Sequence, residues 1–266
     1  MENFAAAMIV TSIAGLSTGL GGLISLFAKP DNQRIMPLGL GFSTGVMVYL
    51  SMVELLPESF ELLQGAAGWM PGGIAAVLSF FAGMTMIALL NHLIPDERTL
   101  MRRMIRRSKD GRADRRRART LRLGIVTALA VFAHNMPEGI ASFVSAVKDL
   151  ETGVAVALAI ALHNIPEGVA VATPVYVATG SRSRAIGMAF LSGVGEPLGA
   201  LLAMLILGPL LNDTVFGAVL GAVAGIMVYI SFSELFPGAL EQRRPVTSIF
   251  GVALGIAVMA FGLLLM

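Results

Sequence analysis

The sequence predicts an all-α, polytopic membrane protein with eight transmembrane helices in a 3+2+3 arrangement and an inverted repeat. Three observations predict it. The chain of 266 residues is 56% hydrophobic and only 14% charged, with a mean hydropathy of +0.79, whereas soluble domains are closer to a quarter charged. Apolar runs recur at about the 20 residues that a helix needs to cross a hydrocarbon core of about 30 Å. Two well-separated stretches also repeat one another in spans expected to cross in opposite directions.

In chain order the expected spans are 4–28, 36–56, 72–93, 123–146, 152–178, 185–210, 214–236 and 246–266. They make residues 1–266 a single transmembrane domain, interrupted by a basic loop at 94–122. The first run is too long, and lacks the basic start, for a cleavable signal peptide. With no cysteine, disulfides and thiolate metal sites are excluded. No GxxxxGK[ST] phosphate loop occurs, so ATP hydrolysis within this chain is not expected to drive any movement.

The loops predict an orientation. Residues 98–122 hold 12 of the 19 Lys and Arg residues. Lys29, Arg34, Arg182, Arg184, Arg243 and Arg244 fall in loops on the same side, and only Lys148 falls on the other. Because cytoplasmic loops carry the excess of basic residues, both termini are expected on the periplasmic or extracellular side of a cell (inner) membrane. Within the basic loop, "LMRRMIRR" (100–107) alternates apolar and basic residues near helical period. Either it lies as a helix on the anionic leaflet or its arginines only set topology.

Residues 41–57, "GFSTGVMVYLSMVELLP", align without gaps to 221–237, "GAVAGIMVYISFSELFP", with nine of 17 positions identical. The copies fall in the second and seventh spans, so the repeat is inverted and spans 1–3 and 6–8 match around spans 4–5. Inverted repeats with polar groups near the midplane and interrupted helices are a recurring transporter architecture. Gly41 and Gly45, like Gly217, Gly221 and Gly225, recur every four residues and suit close helix packing.

"FAHNMPEGIA" (132–141) returns 29 positions later as "LHNIPEGVAV". His134 and Glu138 are four apart on one helix, and Asn135 and Glu138 three apart, so each pair shares a face. Pro137 frees the carbonyl of Ala133 and is expected to bend the helix. His163, Asn164, Pro166 and Glu167 repeat the pattern. Brought together, His134, Glu138, His163 and Glu167 offer two imidazoles and two carboxylates, which suits a borderline divalent cation such as zinc. Asn135 and Asn164, with the far oxygens of both glutamates, make a second cation position nearby, and Glu196 in "SGVGEPLGA" is a natural further ligand. A lone intramembrane histidine is often an interhelical hydrogen bonder. Two His and three Glu in apolar spans are costlier, several kcal/mol for each ionised group, and bound metal offsets that cost.

The twin HNxPEG motifs, the Glu-Pro of the sixth span and the 3+2+3 layout resemble the ZIP (Zrt/Irt-like) metal-transporter family, in particular a bacterial branch of it, over essentially the whole chain. The resemblance implies uptake of divalent metal into the cytoplasm, a binuclear centre between spans four and five, an elevator-like movement of one helix bundle against the other, and a homodimer. It implies a first metal on His134, Glu138, His163 and Glu167. The second would take Asn135, Asn164 and Glu196, with Glu138 and Glu167 bridging. The chain departs from many relatives after its third span, where arginines replace a histidine-rich loop.

Other polar residues have two readings each. Glu54, expected at the outer end of the second span, and Glu234, expected at the inner end of the seventh, either mark a transport pathway or meet the membrane interface. His92 and Asp96 either ligate along an exit path or are solvated at the cytoplasmic face. Three functions compete: a secondary transporter for Zn²⁺ and related ions (Fe²⁺, Mn²⁺, Co²⁺, Cd²⁺), an intramembrane metal-dependent hydrolase, and a metal sensor. A hydrolase needs an open coordination position and a substrate path rather than an inverted repeat, and a sensor needs a signalling domain. The transporter, not an enzyme, is the reading expected; its partners are divalent ions and lipid, with no nucleic acid.

Overall fold

The computed structural model describes residues 3–25, 34–93, 112–207, 212–241 and 243–264. The side chains of His92 and His134 are outside the described set, as are Asp96 and the 100–107 stretch. Among the described residues every regular element is helical. The order is α1 (Asn3–Ser25), α2 (Ile35–Leu50), a π-helical turn (Ser51–Leu55), α3 (Leu56–Ala67), α4 (Trp69–Leu93), α5 (Arg112–Lys148) and α6 (Leu150–Thr179). There follow α7 (Arg182–Gly193), α8 (Gly195–Leu202), a π turn (Ala203–Leu207), α9 (Asp213–Ile230), a π turn (Ser231–Leu235), α10 (Phe236–Glu241) and α11 (Pro245–Leu264).

Seven stretches of these helices are long and apolar enough to cross a membrane. The fourth expected span lies in α5, which is not one of the seven. The radial distribution is that of a protein dissolved in lipid. Leu78, Phe81, Ile249, Phe250 and Phe261 are exposed, whereas Thr18, Ser43, Asn135, Glu138, His163 and Glu196 are buried. Without water outside, apolar side chains gain nothing by hiding, while polar groups must find partners within.

Three local outcomes differ from the sequence expectation. The second span does not stop at 56: α2 passes through the π turn into α3 and runs to Ala67. Helix α5 starts at Arg112, inside the stretch expected as loop; it contains Pro137, as expected, without ending there. By contrast, the sixth span does break, ending α7 at Gly193 and restarting as α8 at Gly195 with Pro197 in its first turn. Proline is tolerated there because a first-turn N–H has no intrahelical acceptor.

The connection between α5 and α6 is the single residue Asp149, whose carboxylate accepts from Thr152 N (2.8 Å) and Thr152 Oγ1 (2.7 Å). At the other end of α6, Gly180 adopts φ 65°, a left-handed conformation that stops the helix cheaply in a residue without Cβ. A one-residue turn forces α5 and α6 to lie side by side.

The helices assemble as two groups. Helices α1, α5, α6 and α7–α8 pack on one another; α2 lies along α11, and α4 along α9. The groups meet where α6 touches α2 and where α5 touches α9. The repeated segments behave alike in detail. Both switch to a π turn at the same register, with Ser51 Oγ donating to Met47 O and Ser231 Oγ donating to Met227 O, each at 2.7 Å. A Cβ on Gly45 of α2 would strike the backbone of Val252 in α11, and one on Gly225 of α9 would strike the backbone of Phe80 in α4.

A candidate intramembrane metal centre

Helices α5 and α6 carry the two HNxPEG motifs, and α1 and α8 clamp them. A Cβ on Gly139, just after Glu138, would collide with the carbonyl of Glu196; one on Gly168, just after Glu167, would collide with that of Thr18. Each motif glycine thus lets another helix backbone approach directly beside the motif glutamate. Gly195 and Gly199 of α8 in turn lie against the Phe132 and Met136 carbonyls of α5. Small residues on both sides draw four helices together around one layer of polar side chains.

Asn135, Glu138, His163, Asn164, Glu167 and Glu196 are all at most 1% exposed. His163 Nε2 lies 3.2 Å from Glu138 Oε1, and its Nδ1 lies 3.2 Å from the carbonyl of Ala159. With Nδ1 donating to that carbonyl, a neutral ring points the Nε2 lone pair at a carboxylate oxygen, so a proton or a cation belongs between them. Ser43 Oγ of α2 donates to the carbonyl of His163 at 3.1 Å, tying the second helix group to this motif.

The two asparagines are held by their amide nitrogens. Asn135 Nδ2 donates to Ser192 O at 3.2 Å, and Asn164 Nδ2 donates to Ala14 O at 3.1 Å and also to Glu196 Oε1. Backbone acceptors at the nitrogens leave each amide oxygen turned the other way. Asn135 Oδ1, Asn164 Oδ1, Glu138 Oε2 and Glu196 Oε2 are buried oxygens with no hydrogen-bond partner among the described residues. The Glu196 carboxylate is also within electrostatic reach of those of Glu138 and Glu167. Unpartnered buried acceptors cost about 1–3 kcal/mol each, and oxygens grouped with an imidazole are a donor set for a divalent cation. Among the described residues no three His, Asp or Glu side chains already form a closed metal cage.

The other described candidates, Glu54 and Glu234, lie on π turns outside the four helices that form this layer. Glu54 occupies the π turn after α2 and is half-buried beside Glu58; Glu234 occupies the matching turn after α9 and is exposed. Glu58 accepts a bond of 3.2 Å from Lys148 at the end of α5, joining the two helix groups. That pairing, and the carbonyls of Ala14 and Ser192 that orient the asparagines, were not read from the sequence. Neither has a sequence signal, since each depends on which helix faces meet.

A polytopic helical protein with buried His, Asn and Glu side chains converging from three helices, α5, α6 and α8, has the make-up of a membrane protein of the transporter class. The chain belongs to the ZIP family: the family described as "ZIP Zinc transporter" matches residues 92–262. It is 44% identical over 259 residues to the zinc transporter ZupT of Streptococcus mutans, covering 97% of each chain. It is also 47% identical over 267 residues to the zinc transporter ZupT of Chlorobium luteolum and 48% over 271 residues to that of Chlorobium phaeovibrioides, each over 100% of both chains.

Proposed function

We propose that this protein is a secondary transporter, not an enzyme, that admits Zn²⁺ into the cytoplasm through a binuclear site between α5 and α6. The first cation takes His134, Glu138, His163 and Glu167. The second takes Asn135, Asn164 and Glu196, with Glu138 and Glu167 bridging. The observation that carries this reading is the set of buried oxygens on Asn135, Glu138, Asn164 and Glu196, unpartnered among the described residues, together with the His163–Glu138 contact. Fe²⁺, Mn²⁺, Co²⁺ and Cd²⁺ have compatible ligand preferences.

In this reading eight spans cross the inner membrane with both termini outside, and the group α1, α5, α6, α7–α8 moves against the remainder to expose the site to each side in turn. Glu54 and Glu234 mark the two mouths, His92 lies on the exit path, and the protein works as a homodimer. The membrane potential suffices as a driving force. A doubly charged ion gains about 4.6 kcal/mol per 100 mV, twice the single-charge value, equivalent to roughly a few thousand-fold accumulation. The test is divalent-metal flux into proteoliposomes that contain only this protein, across a panel of ions. Zinc uptake that responds to an imposed potential is expected; no flux of any divalent ion would overturn the proposal.

A further inference from the structure

Ser43 of α2 and His163 of α6 belong to different helix groups, and both are buried. The Ser43 hydroxyl donates to the His163 carbonyl at 3.1 Å. Thr44 and Ser51 on the same helix behave differently. Their hydroxyls stay local and bond the carbonyls of Leu40 and Met47, four residues back, as helix hydroxyls commonly do. Gly39 lies one turn before Ser43 on the same face, and a Cβ on it would come within 3.2 Å of the Pro166 Cβ. One face of α2 therefore meets the second HNxPEG segment twice, at the proline by shape and at the histidine by a hydrogen bond. Beside these contacts the packing is incomplete. A cavity of about 250 Å³ is lined in part by Leu38, Phe42, Ile165, Val169 and Leu254. Side chains that face a void lose attractive contacts, so the hydrogen bond carries a larger share of what holds α2 to α6.

The other half of the repeat has no such bond to offer. In the gapless alignment of 41–57 with 221–237, Ser43 pairs with Val223, and in the same register Gly39 pairs with Val219. Val223 is buried in α9, which touches α5 as α2 touches α6. Valine carries no donor and is bulkier than serine. The two matching helices thus differ in chemistry: α2 has a hydroxyl and a glycine where α9 has two β-branched apolar side chains. A conformational exchange that swaps the roles of the halves breaks the Ser43 bond and forms no equivalent one.

We propose that Ser43 is a positioning residue of the transport cycle: its bond to the His163 carbonyl holds the HNxPEG turn of α6 against α2 and favours the arrangement of helix groups seen in this structure. The inference rests on the movement of one group against the other proposed above. The bond lies at the surface across which the groups slide, on the backbone of a residue whose ring faces Glu138. A hydrogen bond present in one state and absent from the other shifts their equilibrium by its own net worth and no more. Inside a membrane protein that is about three- to fivefold in population.

Ser43→Ala removes the hydroxyl, and Ser43→Thr keeps it. Spin labels on cysteines placed at Ser183 of α7 and Val246 of α11, exposed positions on opposite groups, report the distance between the groups in the reconstituted protein. Zinc flux and melting temperature are measured on the same samples. In Ser43→Ala the population at the distance of this structure, relative to the rest, is expected to fall about three- to fivefold; Ser43→Thr should match the wild type. An unmoved distribution in Ser43→Ala overturns the inference even if its melting temperature drops, because the bond would then serve stability alone. So does a Ser43→Thr protein shifted as far as Ser43→Ala. One fixed distance in all three proteins overturns the inference and the group movement together. Wild-type protein that samples two distances but carries no zinc defeats the transport reading instead, and the populations still decide the role of Ser43.

Discussion

His163 Nε2 and Glu138 Oε1 meet at 3.2 Å across α6 and α5, with neither side chain exposed. The far oxygen of Glu138 has no hydrogen-bond partner among the described residues. One glutamate thus has one oxygen against His163 and a second left over, which is what a bridging ligand requires. Glu138→Ala, and equally Glu167→Ala, is expected to abolish zinc flux in proteoliposomes while the protein still inserts and purifies. Near-normal flux in either variant would remove the basis for a shared centre.

Asn135 and Glu196 serve one cation only in this scheme, and their removal should be milder. Asn135→Ala and Glu196→Ala are expected to change the ranking of zinc, iron, manganese, cobalt and cadmium more than they slow zinc itself. Competition between metals in the flux assay reads this directly. Variants with wild-type rate and wild-type ranking would argue for a single cation site.

Orientation is open to chemical labelling, because the chain has no cysteine. A cysteine at Ser108 is expected to react only with reagents that reach the cytoplasm, and one at Asn212 with reagents applied outside. The opposite pattern would reverse the assignment of Glu54 to the outer mouth.

Metal binding requires neutral imidazole and ionised carboxylate, so protons compete with the cation for the same atoms. Apparent zinc affinity should fall between about pH 7 and about pH 5.5, an interval that contains the reference histidine value near 6.5. Equilibrium binding to solubilised protein in a non-chelating buffer checks it. A flat response would mean that this His/Glu set does not hold the metal.

The one-residue turn at Asp149 gives a separate handle on stability. The backbone N–H of Thr152, and then its hydroxyl, hold the Asp149 carboxyl below the usual range. A depressed folded-state value means that the stabilisation is complete above the unfolded value of about 3.9, and is lost as pH falls through the folded one. Asp149→Ala should lower thermal stability in detergent at neutral pH, by about 1 kcal/mol for a lost helix cap. The gap from wild type should close in strong acid; a gap that persists there would assign the loss to something other than the cap.

The sequence by itself determined the all-helical membrane class and the presence of two HNxPEG segments in apolar surroundings. It also determined the repeat linking 41–57 to 221–237. These are legible because hydropathy, helical spacing and repetition are properties of one strand of text. Only the tertiary structure decided that the amides of Asn135 and Asn164 hang from the carbonyls of Ser192 and Ala14, and that Glu196 reaches Asn164. It also decided that α2 and α9 change to π turns at matching positions, and that Ser43 of α2 reaches the His163 carbonyl. The reason is physical: backbone carbonyls are the same in every residue, so which one a side chain finds depends on how closely two helices pass. In this protein that distance is governed by glycines such as Gly139 and Gly168, whose effect lies in the neighbour they admit.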